Sequence, residues 1–232
     1  MVLSTPLVSV IIPTYNRYEF LMKAIESVKK QTYPHIEIIV VDDCSTEEAY
    51  KNFNIDGVKY YRLDKNTRQA FGFVCTAFVR NWGIAHSNGI YVAFLDDDDW
   101  WVEDKIEKQM KAIQSVEGVE MCSTDAYHCT SLEKRVMNKD LFWDHHKGKF
   151  KLEDNFPVVW DHAFLKIHNV MITSSVMVSR NVLDQVKGFR CMPNQFAEDY
   201  DCWLSCLKFT KSVYVDEPLV YYDGDHGYGR NW

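Results

Sequence analysis

The chain alternates short, continuous apolar runs with longer stretches in which apolar residues recur every three or four positions. Val8 to Ile12 (VSVII) is β-branched, unbroken and stopped by Pro13, the pattern of a strand covered on both faces. From Glu19 to Lys30, the residues Phe20, Leu21, Ala24, Ile25 and Val28 fall on one helical stripe. The unit then repeats. Ile36 to Val41 (IEIIVV) predicts a second buried strand, Val58 to Arg62 a third and Tyr91 to Leu95 (YVAFL) a fourth, with helices over Phe71 to Ser87 and Val102 to Gln114 and a fifth strand over Val119 to Thr124. Strands alternating with helices predict an α/β fold: a Rossmann-like, mainly parallel central sheet with helices on both faces. Ligands of such sheets sit beyond the carboxyl ends of the strands. Chemistry is therefore expected just after residues 12, 41 and 95.

Residues 125–169 lose this periodicity and read as a long excursion rich in aromatics and histidines. Regular pattern returns with a strand over Val170 to Val178, a helix near Asn181 to Val186, a turn at Gly188, a helix around Asp199 to Lys208 and two short strands, Ser212 to Val215 and Leu219 to Tyr222. With no repeat, linker or low-complexity tract, one domain over residues 1–232 is the simplest organisation.

Composition narrows the class. The 232 residues are 47% hydrophobic and 25% charged with a net charge of −7, which excludes disordered and collagenous chains and argues against broad nucleic-acid binding. No run approaches the roughly 18 apolar residues of a membrane span, and the first residues have no basic segment of a signal peptide. A soluble, cytoplasmic protein is expected, peripheral membrane association aside. Seven cysteines, at 44, 75, 122, 129, 191, 202 and 206, form no CxxC pair, so buried thiols in a reducing compartment are the simpler reading.

The polar residues after the strands carry the chemistry. Pro13, Thr14, Tyr15, Asn16 and Arg17 follow the first strand, Asp42 and Asp43 the second, and Asp96, Asp97, Asp98 and Asp99 the fourth. Four adjacent carboxylates repel, by roughly 0.7 kcal/mol per pair at 6 Å even in water. A hard divalent ion, Mg²⁺ or Mn²⁺, would compensate them; a solvated acidic turn capping the next helix is the alternative. Asp42 can hydrogen-bond a nucleotide or form a turn. A dinucleotide fold would need G-x-G-x-x-G after the first strand, and there is no glycine there.

The ordered segments VSVIIPTYNR (8 to 17), QTYPHIEIIVVDDCS (31 to 45), RNWGIAHSNGIYVAFLDDDDWW (80 to 101) and MITSSVMVSR with VKGF and AEDYDCWL (171 to 204) resemble the inverting GT-A glycosyltransferases of family 2. The resemblance spans nearly the whole chain apart from about residues 125–169. It implies a nucleotide, usually uridine, held by the loop from Pro13 to Arg17, chiefly Thr14 and Tyr15, and by Asp42. The Asp-x-Asp signature falls on Asp96 and Asp98, with Asp98 a direct metal ligand, Asp96 nearer the ribose and Asp97 in the variable position. Arg80 would lie near the ribose or diphosphate. The Glu-Asp motif falls on Glu198 and Asp199, the second acid being the base, and His226 would assist the metal or diphosphate. Phe78 and Val79 before the Arg-Asn pair, and Arg190 after Gly188-Phe189, depart from the pattern.

The expected reaction is metal-dependent, inverting transfer of a sugar from a nucleotide-sugar donor, UDP-linked by resemblance, to a hydroxyl of a glycan or glycoconjugate acceptor. A carboxylate within about 3 Å of that hydroxyl can remove its proton, and the metal neutralises the departing diphosphate. Glu198 and Asp199 could equally be acids of a helix's first turn. His145, His146, Phe142, Trp143 and Trp160 could line the acceptor site or form a satellite core, and Trp100 and Trp101 could shape the donor pocket or anchor the next helix. A non-catalytic nucleotide-sugar or glycan binder and a sugar-phosphate nucleotidyltransferase are the competing classes.

Overall fold

The computed structural model describes residues 5–130, 136–141, 158–167, 171–193 and 198–224. Its first half is a run of strand–helix units: β1 (Val8–Thr14), α1 (Tyr18–Lys29), β2 (Ile36–Asp42), β3 (Val58–Arg62), α2 (Thr67–Phe71), α3 (Thr76–Ala85) and β4 (Tyr91–Phe94). The second half comprises β5 (Trp100–Trp101), α4 (Lys105–Ser115), β6 (Val119–Thr130), β7 (Val136–Leu141), β8 (Val159–Trp160), α5 (His162–Ile167), β9 (Met177–Ser179), α6 (Arg180–Val186), α7 (Glu198–Cys206) and β10 (Lys211–Asp223).

The described strands form one ten-stranded sheet in the order β3-β2-β1-β4-β9-β6-β10-β5, with β7 beside β6 and β8 beside β10. The pairings among β3, β2, β1 and β4 are parallel. β9 runs against both β4 and β6, and β6 and β10 are parallel to each other. Six strands therefore share one direction, and β5, β7, β8 and β9 oppose them.

The continuity of the apolar runs follows from the two faces. Val8, Val10 and Ile12 join Ile38, Val40, α1 and α4 in one buried cluster. Ile11, Ile39 and Val41 join α3, α6 and α7 in another. Alternate residues thus point to opposite faces, both covered. The winding reverses between β1 and β4, which lie side by side, and a crevice opens at such a switch point.

Several expected elements differ. The helix expected over Phe71 to Ser87 begins only at Thr76, as α3, because Phe71 ends α2, which Gly72 caps in the left-handed region at φ 80°. The helix expected from Val102 starts at Lys105, since Trp100 and Trp101 pair with β10 and the Val102 amide donates to the Leu219 carbonyl at 3.0 Å. The strand expected over Val170 to Val178 is a 3-10 turn at Thr173–Ser175 followed by the short β9, the three hydroxyl residues having broken the apolar run. The fifth strand runs on to Thr130. The two late strands are one, β10, with register shifts around Pro218, which lacks an amide to donate to the ladder.

Candidate active site

Three strand ends build one edge. After β1 the chain turns sharply: Asn16 sits at φ 51°, and its side-chain carbonyl accepts from the amides of Thr46 and Glu47 at 2.6 and 3.2 Å. This ties the loop after β1 to the loop after β2. Pro13 and Thr14 are buried and still in register with Val41 and Asp42. The Thr14 hydroxyl lies 2.7 Å from the Tyr50 hydroxyl, which also accepts from the Arg17 amide at 3.2 Å. Tyr15 is half-buried.

Asp42 is fully buried. Its carboxylate accepts from the Ser45 amide and hydroxyl at 2.8 and 2.5 Å, from the Tyr60 hydroxyl at 2.6 Å and from Arg62 at 3.1 Å. The chain's own groups therefore already occupy both of its oxygens. Asp43 caps the start of α2 through Thr67 and Asn66, and burial pushes its pKa up to about 6.

The acid run after β4 is divided between two buried arginines. Arg17 Nη1 lies 2.8 Å from Asp98 Oδ2 and 3.3 Å from Asp97 Oδ1. Arg80, on the inner face of α3, donates through Nη2 to Asp96 at 2.6 Å and through Nη1 to Glu198 at 2.9 Å. The Asp96 amide donates to the Ser174 hydroxyl at 3.0 Å, and Asp99 Oδ1 accepts from the Asp223 amide at 2.8 Å. Seven carboxyls (Asp96 to Asp99, Glu198, Asp199 and Asp223) thus share the field of two guanidiniums. Burial pushes Asp97 to about 7, reinforced by Asp98 and opposed by Arg17. Burial also raises Asp98 to about 6, with Asp96 adding to it, and raises Glu198 to about 7 against the pull of Arg80.

Asp199 opens α7. Its Oδ2 accepts from the Thr173 hydroxyl at 2.9 Å and its Oδ1 from the Tyr200 amide at 2.7 Å. A hydroxyl and an amide, rather than a cation, orient it. Arg80 links this end of α7 to the acid run, so Glu198 and Asp96 share one guanidinium although 102 positions separate them.

Among the described residues no three His, Cys, Asp or Glu side chains gather round one point, because Arg17 takes up Asp98 and Arg80 takes up Asp96. The donor chemistry nevertheless fits a hard cation. Acids outnumber bases, and Asp97 Oδ2 and Asp99 Oδ2 are buried without a hydrogen-bond partner.

The structure thus brings Thr14, Arg17, Arg80, Asp96, Asp97, Asp98, Glu198 and Asp199 into one linked set and holds Asp42 beside it. His226, His145, His146, Phe142 and Trp143 lie outside the described residues. Trp160 is fully buried and stacks on Tyr214 at 4.7 Å, so it is core. Trp101 anchors its strand through Nε1 to the Ser174 carbonyl at 2.9 Å, while half-buried Trp100 stacks on Tyr221 at 5.3 Å. Sequence reading missed Tyr50, Ser174 and Thr173. The run of hydroxyls at 173–175 inside an apolar segment was the available signal for the last two.

Comparison with known proteins agrees with this fold. The model of the family "Glycosyl transferase family 2" matches residues 9–171. TuaG of Bacillus subtilis (strain 168), a glycosyltransferase named for teichuronic acid biosynthesis, is 30% identical over 94% of this chain and 79% of its own. Among solved structures, S. aureus TarS 1–349 in complex with UDP-GlcNAc superposes with a TM-score of 0.67 at 20% identity, over 96% of this chain and 60% of that one. The mannosyltransferase PcManGT from Pyrobaculum calidifontis, in complex with GDP-Man and Mn²⁺, superposes with a TM-score of 0.66 at 17% identity, over 95% of this chain and 57% of that one. The chain therefore spans less than two thirds of both crystallised proteins, and at these identities they speak for the fold. Because the family model covers most of the chain and the fold agrees, the chain belongs to glycosyltransferase family 2 and is a glycosyltransferase with the GT-A fold.

Proposed function

We propose that the protein transfers a sugar from a UDP-sugar to a hydroxyl of a growing glycan or glycoconjugate, with inversion at the anomeric carbon and with Asp199 as base. The observation that carries this reading is the Arg80 bridge from Asp96 to Glu198, which sets the acid run on the donor side beside Asp199. UDP-GlcNAc in the TarS complex supports a UDP donor, and TuaG is named for teichuronic acid biosynthesis, which supports a glycan or glycoconjugate acceptor. In this reading residues 1–124 serve the donor and residues 125–232 the acceptor, within one domain. The seven cysteines all stand as thiols, which supports a reducing, cytoplasmic location. No described helix is long and apolar enough to cross a membrane.

The acceptor oxygen attacks the anomeric carbon as the bond from that carbon to the diphosphate oxygen breaks. The acceptor's proton passes to the Asp199 carboxylate, whose oxygens are held by Thr173 and the Tyr200 amide. A hydroxyl needs such a base because its own pKa lies far above 7, and the gain is typically 10²- to 10⁴-fold. Arg80 keeps Glu198 and Asp96 at fixed positions, and the loop with Thr14, Tyr15 and Arg17 borders the donor. A bound Mg²⁺ or Mn²⁺, held by Asp96 and Asp98 with His226 as a further ligand, would supply charge neutralisation on the departing diphosphate.

Asp199→Asn keeps the shape and removes the basic oxygen. Turnover of UDP-sugars is expected to fall by about 10²- to 10⁴-fold while UDP-sugar affinity by calorimetry stays within about threefold. Undiminished turnover would remove Asp199 from the role. No measurable turnover in the unmodified protein with any UDP-, GDP- or dTDP-sugar, alongside tight nucleotide-sugar binding, would point instead to a non-catalytic binder.

A further inference from the structure

The acid run carries a cation of its own. Arg17 caps the start of α1, and its backbone is fixed at both ends: its amide donates to the Tyr50 hydroxyl at 3.2 Å, and its carbonyl accepts from the Leu21 amide at 2.9 Å. The side chain leaves this anchored point and buries its guanidinium, at 6% exposure, against Asp98 at 2.8 Å and Asp97 at 3.3 Å. One guanidinium meets two carboxyls there, and Asp97 Oδ2 still lacks a partner. A fixed backbone with a long, rotatable arm can surrender one carboxylate without moving the loop.

We propose that Arg17 is an internal stand-in for the divalent ion: it holds Asp98 in the metal-free protein and releases it when the metal enters, so that guanidinium and ion exclude each other. This rests on the metal-dependent reading above, since a protein that never binds a divalent ion has nothing to displace Arg17. The charge argument is direct. A unit positive charge about 5 Å from a divalent cation weakens binding of that cation by roughly tenfold even at the dielectric constant of water. Arg17 therefore sets a threshold: the ion binds weakly by itself and better when the negative diphosphate arrives to share both cations.

The test measures metal binding rather than turnover. Mn²⁺ is titrated into the purified full chain, without and with UDP, and free Mn²⁺ is read by electron paramagnetic resonance. Arg17→Gln is expected to bind Mn²⁺ about tenfold more tightly than the unmodified protein in the absence of UDP, and Arg17→Lys, which keeps the charge, to bind more weakly than Arg17→Gln. Equal or weaker Mn²⁺ binding by Arg17→Gln would overturn the proposal. Should that variant not fold, the unmodified protein is labelled with ¹⁵N-arginine and titrated with Mg²⁺ in the presence of UDP. The Arg17 Nε–Hε signal, assigned by its loss in Arg17→Lys, is expected to shift as Mg²⁺ saturates, and an unmoved signal at saturation would overturn the proposal. If neither protein binds Mn²⁺, the metal-dependent reading falls together with this one, while UDP-sugar binding in the same samples reports separately on the sugar-donor reading.

Discussion

At the scale of single residues the site is an exercise in compensated charge. Arg80 has a 6% exposed side chain and two carboxylate partners. Burial works against its charge, and Asp96 and Glu198 more than restore it, so its pKa rises above the ordinary arginine value. Arg80→Met would leave Glu198 buried and unpaired, and a loss of about 3 kcal/mol in denaturant unfolding is expected. Arg190→Ala, which breaks an exposed pair with Asp201, should stay within about 0.5 kcal/mol in the same experiment. The acids themselves were legible in the sequence, because four charges straight after an apolar strand demand an explanation. Their partners were not. The Arg17–Asp98 pair spans 81 positions and Arg80–Glu198 spans 118, and no local period encodes a contact over such separations. The same holds for Tyr50 and Thr173, ordinary residues until the fold sets them beside Arg17 and Asp199.

At the scale of elements, what could be read were the runs with one dominant period. β3 falls on the expected Val58 to Arg62, and α1 and β2 lie within a residue of expectation. Misreadings came where a long-range pairing overruled a local pattern, as with the late start of α4, or where a single residue punctuated it, as at Gly72 and the 173–175 hydroxyls. Gly83 shows how closely the elements must approach. A Cβ there would lie 2.5 Å from Ile11 Cγ2 and 3.3 Å from Val41 Cγ2, so α3 rests on β1 and β2 without room for a methyl group. Gly83→Ala should cost about 1 to 3 kcal/mol. Because α3 also carries Arg80, the variant should raise KM for the donor as well, measurable at a temperature where it remains folded. A loss of stability with an unchanged KM would show that the helix shifts without disturbing the arginine.

At the scale of the whole molecule, the buried titratable groups set how stability answers to pH. Lys105 is fully buried between Gln109, at 2.6 Å, and the Trp101 ring, at 4.0 Å, and burial lowers its pKa to about 7. Above pH 7 the unfolded chain holds a proton on this lysine that the folded chain has given up, so stability rises with pH towards the ordinary lysine range. Asp97 and Glu198, raised to about 7, act in the opposite sense: from the ordinary carboxylate range up to pH 7 the folded state holds protons that the unfolded state has lost, so stability falls as pH rises. Melting temperatures measured without divalent ions between pH 4.5 and 9.5 should therefore pass through a minimum near neutrality. Lys105→Met should flatten the alkaline limb and gain about 1 kcal/mol or more at pH 7; a limb as steep as before would acquit the lysine. The bond from the Asp223 amide to Asp99 reaches further than its single donor suggests. It clasps the far end of β10 to the turn that carries the acids, so a strand laid down late in the chain fixes side chains that follow β4. A deletion that reached Asp223 would therefore unfasten that turn from behind.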